Sequence, residues 1–383
     1  MSQDPPPGVM PMQASTIRIL FAGDLMTGRG IDQVLAKPLP PATFETQVRN
    51  ARRYVRLAER ANGPIPRRNP PAYVWGDAID EMERLAPDLR IVNLGTAITS
   101  AVTAWSGKDT YHRMSPRHIG SLTAGGLSAC AMANDHALDF DYPGLRETLS
   151  ALHEADIAIA GAGADASKAH EPAVFPLQNG TRLLLFAWAT PSSGIPAGWA
   201  ATESRPGIAV LPGLGEADAR EVKACVEHHR RPGDLVIVSL HWGDRRMRLV
   251  PPEHREFAHR LVDLGAVDVL HGHASHAPLP IEVYEGKLIL HGCGDLINDD
   301  EGLPSHEDWH VDLGCLYAVT LARADGRLQE LEIVPFQRRR FRLCWPEERA
   351  TQWLLERLNQ GGADFCTPIA IERDGRLRLT WRA

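Results

Sequence analysis

Hydrophobic and polar residues form alternating blocks along the chain, and these blocks predict buried strands separated by amphipathic helices. Short apolar runs that end in polar loops are typical of strands covered by helices. The runs predicted as strands are Ile17–Ala22, Leu89–Leu94, Leu127–Met132, Ile157–Ala160, Leu183–Ala187, Leu235–Leu240 and Val267–Leu270. Helical periodicity lies between them, over Trp75–Ala86, Gly144–Glu154, Glu216–Arg230 and Glu253–Leu264. Alternation of this kind predicts a layered α/β fold.

The pattern changes towards the carboxyl end, where short strands follow one another directly. The segment Ile281–Leu290 predicts a hairpin that turns at Glu285-Gly286, since such a pair favours a tight turn between alternating strands. Further strands are expected over Leu316–Leu321 and Leu328–Val334, and a helix over Glu347–Leu358.

The domain organisation follows from the same pattern. We expect a disordered, proline-rich tail over 1–15, one main domain over 16–336 and a carboxyl-terminal appendage over 337–383. The segment Lys37–Pro71 is rich in proline and arginine, and it predicts an excursion over the surface with a helix around Val48–Ala61. The chain length suits one large α/β unit rather than several small domains.

Composition and charge narrow the class of protein. With 383 residues, 44% hydrophobic, 23% charged and a net charge of −7, the chain is an ordinary globular protein. Its acidic balance argues against nucleic acid as a partner, because such binding needs a basic face. The six cysteines form no CxxC pair, so they predict reduced thiols rather than a disulfide frame. No signal peptide or membrane span is recognisable, and a cytoplasmic location is expected.

Polar, metal-competent residues follow the ends of the predicted strands, where open α/β sheets bind ligands. Asp24 comes straight after the first strand and beside Gly23. A carboxylate in this place is a good ligand for a hard cation. A helix cap or turn is an equally good interpretation of Asp24 taken alone.

The third strand leads into a short segment that contains Asn134, Asp135, His136 and Asp139. The carbonyl oxygen of Asn134 could bind a metal, and His136 could act as an acid or electrostatic partner. The same residues could instead cap the following helix.

Histidines follow two further strands. His241 ends one of them, and a lone histidine there is more often a core residue than a ligand. The next predicted strand is followed by His271, His273 and His276 within six residues. Because these rings would repel one another if charged, a bound cation explains them better. The acidic loop from Asp295 onwards would complement such a site, and a solvated turn is the alternative.

The ordered motifs resemble the CapA capsule-synthesis family, which is related to the calcineurin-like metallophosphatases. The motifs are GDLMTGR, NLGT, ANDHALD, HWGD and HGHASH, and they lie between Ile17 and Asp300. The resemblance implies a two-sheet α-β-β-α sandwich with one or two divalent cations, either Mn, Zn, Fe or Mg. The metal ligands that it implies are Asp24, Asn134, His241, His273 and His276. It also implies catalytic roles for His136 and Asp135 and substrate-binding roles for Arg29, Asp244 and Asp295.

Two positions depart from the family pattern. Gly95 stands where the family has a glutamate, and the loss of a bridging carboxylate should disfavour a two-metal centre. Asp135 stands where an asparagine is usual, and it restores one negative charge.

Three functions are compatible with these residues. The favoured hypothesis is a metal-dependent hydrolase that acts on a phosphoester or a glutamyl-type amide in a small-molecule or peptide-like anionic substrate. The first alternative is a non-catalytic accessory or binding protein that has lost the carboxylate at Gly95. The second is a tailoring enzyme of a specialised-metabolite pathway, which no residue specifically favours. The sequence does not determine the oligomeric state.

Overall fold

The computed structural model describes residues 15–177, 180–303, 310, 312–360 and 365–381. The strands are β1 (Thr16–Leu25), β2 (Leu89–Leu94), β3 (Ala97–Ile98), β4 (Arg113–Met114), β5 (Ala129–Ala131), β6 (Ala158–Ala160), β7 (Ala162–Gly163), β8 (Ala173–Pro176), β9 (Arg182–Ala189), β10 (Gly207–Ile208), β11 (Leu235–His241), β12 (Val269–His273), β13 (Ile281–Tyr284), β14 (Lys287–Leu290), β15 (Asp295–Ile297), β16 (Leu313–Ala322), β17 (Leu328–Arg339), β18 (Arg342–Cys344), β19 (Ile369–Ile371) and β20 (Leu377–Leu379). The helices are α1 (Arg29–Val34), α2 (Arg52–Asn62), α3 (Ala78–Leu85), α4 (Gly120–Ala124), α5 (Asp141–Glu154), α6 (Ala166–His170), α7 (Glu216–His229), α8 (Pro252–Asp263) and α9 (Glu348–Asn359).

Two sheets carry most of the strands. The first has the order β19-β20-β17-β16-β1-β2-β5-β6, and β15 adds to β1 at its carboxyl end. The second has the order β13-β14-β12-β11-β9-β8. Strands β1, β2, β5 and β6 are parallel in the first sheet, as are β9, β11, β12 and β14 in the second. Parallel neighbours bring their carboxyl ends to one edge, which is where the polar motifs lie.

Alternation along the strands shows how the sheets are layered. In β9, Leu183 and Leu185 join the core shared with the first sheet, whereas Leu184 and Phe186 pack with the apolar residues of α7 and α8. Successive side chains of a strand point to opposite faces, so the second sheet lies between the first sheet and these two helices. Helices α3 and α5 contribute Met82 and Leu145 to the first core. The fold is therefore the expected α-β-β-α sandwich.

Every strand and helix named above from the sequence is present, with shifts at the ends. The helix predicted from Trp75 begins at Ala78 because Pro71–Trp75 form a 3-10 turn. Gly76 follows that turn with φ +46°, a left-handed conformation that glycine adopts without strain. The hairpin turn is as predicted, since Glu285 and Gly286 both have positive φ as a two-residue turn requires.

The carboxyl-terminal segment is packed as part of the first sheet. The boundary expected between residues 336 and 337 lies inside β17, and β20 pairs with β17 through Leu377 and Ile333. Leu354 and Leu358 of α9 belong to the same core cluster as the first sheet. The tail expected over 1–15 lies outside the described residues apart from Ser15. Within the described ranges, no helix has the length and apolar character needed to cross a membrane.

Candidate metal centre

Three buried side chains from both sheets meet at the carboxyl ends of their strands. Asp24 belongs to β1, and His241 and His273 are the last residues of the adjacent parallel strands β11 and β12. One potential ligand atom from each of the three lies within 4.8 Å of the other two. Beside Asp24, Gly23 lets the loop at Gly294 pass close to β1, because a Cβ there would lie 1.8 Å from the Gly294 carbonyl oxygen.

The donor atoms fit a divalent cation. The Nδ1 atoms of His241 and His273 face each other at 2.9 Å, and a carboxylate with two imidazoles is a common ligand set for Zn or Mn. Burial raises the pKa of Asp24 to about 6, an effect that His241 partly offsets. Burial and the neighbouring rings of His241 and His271 hold the pKa of His273 well below its usual value. A cation would stabilise the buried carboxylate, and the neutral His273 ring would have a lone pair to bind it.

Two asparagines orient Asp24. Asn93 donates to Asp24 Oδ1 at 2.7 Å, and Asn134 donates to Asn93 Oδ1 at 3.0 Å and to the Leu94 carbonyl at 2.9 Å. The Asn134 side-chain oxygen, expected to be a metal ligand, accepts the backbone N–H of His136 at 3.0 Å. Asn134 therefore belongs to the site through this chain of hydrogen bonds. Sequence reasoning missed Asn93 as a site residue, although Asn93 stands in the NLGT motif two residues before Gly95.

His136 forms a buried pair with Asp139. Its Nδ1 donates to Asp139 Oδ2 at 2.7 Å, and Lys108 binds the other oxygen of Asp139 at 3.0 Å. Burial lowers the pKa of His136, but Asp135 and Asp139 outweigh burial and raise it above its usual value. The pair can therefore hold a proton at Nε2. The i, i+3 spacing of His136 and Asp139 was the signal in the sequence, but no site role was assigned to Asp139.

Asp135 faces the centre. Its Oδ1 lies 3.2 Å from His241 Nε2, and its Oδ2 lies 3.7 Å from His136 Nε2. Burial raises the pKa of Asp135, but His136, His241 and Lys108 together hold it well below its usual range. The negative charge expected at this position is therefore present, and it contacts the ring of His241.

His276 lies beside the centre but outside the compact group of three. Its Nδ1 donates to Asp295 Oδ2 at 2.7 Å, and Asn298 donates to the same oxygen at 2.8 Å. Burial lowers the pKa of His276, but Asp295 reverses this and raises it to about 9. His276 Nδ1 therefore carries a proton, because a carboxylate oxygen accepts it. Asp295, expected to bind substrate, is fully buried beneath it.

Two residues expected to bind substrate have other surroundings. Arg29 is buried, with φ +48°, and its guanidinium binds Asp299, Asp300 and Glu45. It therefore ties α1 to the acidic loop and to the Lys37–Pro71 excursion, and its cation is already neutralised. Asp244 lies in an exposed turn and accepts the backbone N–H of Arg246 at 2.6 Å, which makes it a turn residue.

The structure is thus an α/β protein, a two-sheet α-β-β-α sandwich with an aspartate and two histidines together at its strand ends. The chain belongs to the bacterial capsule synthesis protein family PGA_cap, whose family model matches residues 18–300. The resemblance to the CapA family is thus confirmed.

Two relatives in sequence agree with this assignment. The chain is 41% identical over 364 residues to a probable polyglutamine synthesis accessory protein of Mycobacterium tuberculosis, covering 95% of this chain and 96% of the relative. It is 32% identical over 167 residues to the PGA biosynthesis protein CapA of Bacillus subtilis, covering 44% and 41%. Among solved structures, a phosphatase from Mycoplasma pneumoniae matches with a TM-score of 0.46 and 13% identity, covering 89% of this chain and 98% of that chain.

Proposed function

We propose that this protein is a metal-dependent hydrolase that cleaves a phosphoester or a glutamyl-type amide in an anionic substrate. The observation that carries the proposal is the convergence of Asp24, His241 and His273 beside the His136–Asp139 pair. When bound by these residues, a divalent cation such as Mn, Zn, Fe or Mg would polarise the substrate and lower the pKa of a water molecule.

His136 is the proton donor in this proposal. Asp139 accepts the Nδ1 proton, so the ring keeps a fixed orientation with Nε2 towards Asp135 and the centre. Hydrolysis adds water across the phosphorus–oxygen or carbon–nitrogen bond, and the departing oxygen or nitrogen needs a proton. A histidine with a raised pKa can supply that proton near neutral pH. Both substrate classes therefore use the same residues.

Exposed arginines near the centre support an anionic substrate. Arg245 and Arg246 are exposed and, within the described part of the chain, form no side-chain ion pair. The backbone N–H of His276 binds the Arg245 carbonyl at 3.0 Å, which fixes this basic turn against the loop that follows β12. Guanidinium groups bind carboxylates and phosphates well. Sequence reasoning overlooked both arginines in favour of Asp244.

The names of the relatives favour the amide among the two substrates. One relative is described as an accessory protein of polyglutamine synthesis and another as a PGA biosynthesis protein. A polymer of glutamine or glutamate residues offers amide bonds, and one of glutamate residues would also be anionic. A cytoplasmic site of action is part of the same proposal.

The test combines metal analysis with hydrolysis by variants. Protein produced with Mn or Zn is analysed for metal and assayed with p-nitrophenyl phosphate and γ-glutamyl-p-nitroanilide. We expect Asp24→Asn to lose bound metal, and His136→Gln to keep metal while its kcat falls by about 100-fold or more. Glu203→Gln, a change at an exposed position, is the control and should behave as wild type.

Absence of both bound metal and hydrolysis would contradict the proposed function. Wild-type protein that retains no metal and shows no metal-stimulated hydrolysis of either compound would exclude the hydrolase. It would favour the accessory or binding role, for which the missing carboxylate at Gly95 is the structural reason.

A further inference from the structure

A buried chain of hydrogen bonds runs from the backbone of the first sheet to the ring of His273. His271 Nε2 lies 2.9 Å from the Ala22 carbonyl oxygen, and His271 Nδ1 lies 3.1 Å from Ser239 Oγ. Ser239 Oγ in turn lies 2.7 Å from His273 Nε2. The side chains of Ser239, His271 and His273 have no solvent exposure, so water does not compete for these contacts.

Strand register places these groups together. Ser239 and His271 are direct partners on the parallel strands β11 and β12. His271 and His273 are two residues apart on one strand, so their side chains point to the same face. This face is the one directed at β1, where Ala22 precedes Asp24 by two residues. The chain of hydrogen bonds therefore spans both sheets beside the proposed metal ligands.

Each hydrogen bond in the chain has a defined direction. A carbonyl oxygen only accepts, so His271 Nε2 is the donor to Ala22. The ring of His271 is fully buried, and its described hydrogen-bond partners are a hydroxyl and a backbone carbonyl rather than a carboxylate, a setting that favours the neutral ring because a buried charge needs a charged partner. A neutral ring that carries its proton on Nε2 must accept at Nδ1, so the Ser239 hydroxyl donates to it. Because the hydroxyl has one hydrogen, its oxygen accepts from His273 Nε2.

We infer that Ser239 and His271 are positioning residues that keep the proton of His273 on Nε2 and so present its Nδ1 to the cation. The inference rests on the proposed function, since it assumes that this centre holds a metal. His241 has a matching arrangement, because Asp135 lies 3.2 Å from its Nε2 and accepts a proton there. Both histidines would then offer Nδ1 to a cation, and these two atoms face each other at 2.9 Å. Hydrogen bonds to the second ring nitrogen commonly set the tautomer of a ligand histidine.

The first experiment observes the tautomer directly in metal-free protein. Protein labelled with ¹⁵N-histidine is studied by long-range ¹H–¹⁵N correlation NMR, and the His273 signals are assigned by their absence from His273→Ala. We expect the neutral tautomer with hydrogen on Nε2. A ring with hydrogen on Nδ1, or an equal mixture of tautomers, would overturn the inference. This measurement does not depend on metal binding or hydrolysis, so it can fail while the proposed function stands.

The second experiment measures Zn²⁺ affinity by competition with a chromophoric chelator. Ser239→Ala should weaken Zn²⁺ binding by about 10-fold to 100-fold and should mix the His273 tautomers in the NMR spectrum. The matched control is Ser275→Ala, another buried serine close to His273, whose hydroxyl has no partner among the described residues. Its affinity should equal that of wild type.

The outcomes separate the two proposals. Equal affinity in Ser239→Ala and wild type, with an unchanged tautomer, would exclude the positioning role. Wild-type protein that binds none of Zn²⁺, Mn²⁺, Fe²⁺ and Mg²⁺ would exclude the metal-dependent function instead. If Ser239→Ala does not fold, the tautomer of His273 in wild-type protein still decides the question.

Discussion

At position 95, a residue without a side chain leaves space that Met26 fills. A Cβ on Gly95 would lie 3.0 Å from Met26 Cγ and 3.7 Å from His136 Cδ2. Met26 is buried, so its side chain occupies the direction in which a glutamate would extend. A larger residue at position 95 would therefore have to displace the Met26 side chain.

The contact between position 95 and Met26 predicts how a glutamate can be introduced at position 95. Gly95→Glu alone should lower the free energy of unfolding by about 1–3 kcal/mol, because the new side chain overpacks Met26. Met26→Ala together with Gly95→Glu should relieve the clash and increase the number of metal ions bound per chain. Urea unfolding and elemental analysis measure the two effects, with Met26→Ala as the control. Equal stability of Gly95→Glu and wild type would show that the methionine does not fill this space.

The surroundings of Glu282 predict how the stability of the fold depends on pH in acid. It accepts hydrogen bonds from His291, His259 and Arg255 at 3.1, 2.9 and 2.8 Å. Burial raises the pKa of Glu282, but these partners outweigh burial and lower it to about 2. Since the folded-state pKa is below the ordinary value of 4.5, the stabilisation is complete above pH 4.5. It is lost as the pH falls from there towards 2.

The lowered pKa of Glu282 corresponds to a stabilisation of the folded state on the order of 3 kcal/mol, at 1.36 kcal/mol for each pKa unit. Glu282→Gln should therefore be less stable at pH 7 and should lose less stability than wild type between pH 4.5 and 3. Urea unfolding at these pH values is the measurement. Parallel losses in the two proteins would contradict the assigned ion pairs.

At the scale of elements, the carboxyl-terminal hairpin of β19 and β20 is the instructive case. Leu377 of β20 is fully buried and pairs with Ile333 of the long strand β17. Ile371 of β19 lies in the same hairpin but is 38% exposed. Because Ile371 and Leu377 are cross-strand partners, they share one face, and their exposure differs because β19 is the edge strand and β20 lies between β19 and β17.

Substitutions on the inner strand and on the edge strand should differ strongly in their effect on stability. Leu377→Ala should reduce the free energy of unfolding by about 2–5 kcal/mol, because it removes buried methyl groups and leaves a cavity. Ile371→Ala should change it by about 0.5 kcal/mol or less. Chemical denaturation of both variants checks this. Similar small losses for both would indicate that 337–383 folds as an appendage, independently of the main sheet.

At the scale of the whole molecule, the candidate metal centre joins the two sheets. Asp24 comes from the first sheet, and His241 and His273 come from the second. A ligand that binds only the folded chain stabilises it by mass action, and here the ligand would also hold the two halves of the sandwich together.

Thermal unfolding should therefore depend on metal. At a free metal concentration about 100 times Kd, the stability should rise by about 2.7 kcal/mol, which differential scanning calorimetry detects as a higher Tm. EDTA should reverse the rise, and Asp24→Asn should show neither change. A wild-type Tm that is the same with Zn²⁺, with Mn²⁺ and with EDTA would argue against a cation at this centre.

The sequence by itself determined the class of fold and the set of chemical groups. Buried strands and amphipathic helices differ in the period of their apolar residues, and this period is local information. The histidines at the ends of β11 and β12 were recognised for the same reason, because each stands at the end of a recognisable apolar run. Two-residue strands such as β3 and β7 escaped prediction, since pairing with a distant segment defines them rather than their own sequence.

Only the tertiary structure decided which of these groups act together. It grouped Asp24, His241 and His273, placed His276 on Asp295, and enclosed Arg29 among carboxylates. It also brought Asn93, Ser239 and His271 next to the candidate ligands. The physical reason is that hydrogen bonds and coordination depend on distances of a few ångströms between residues far apart in the chain. Those distances are set by strand register and by the packing of one sheet on the other, which no local pattern encodes.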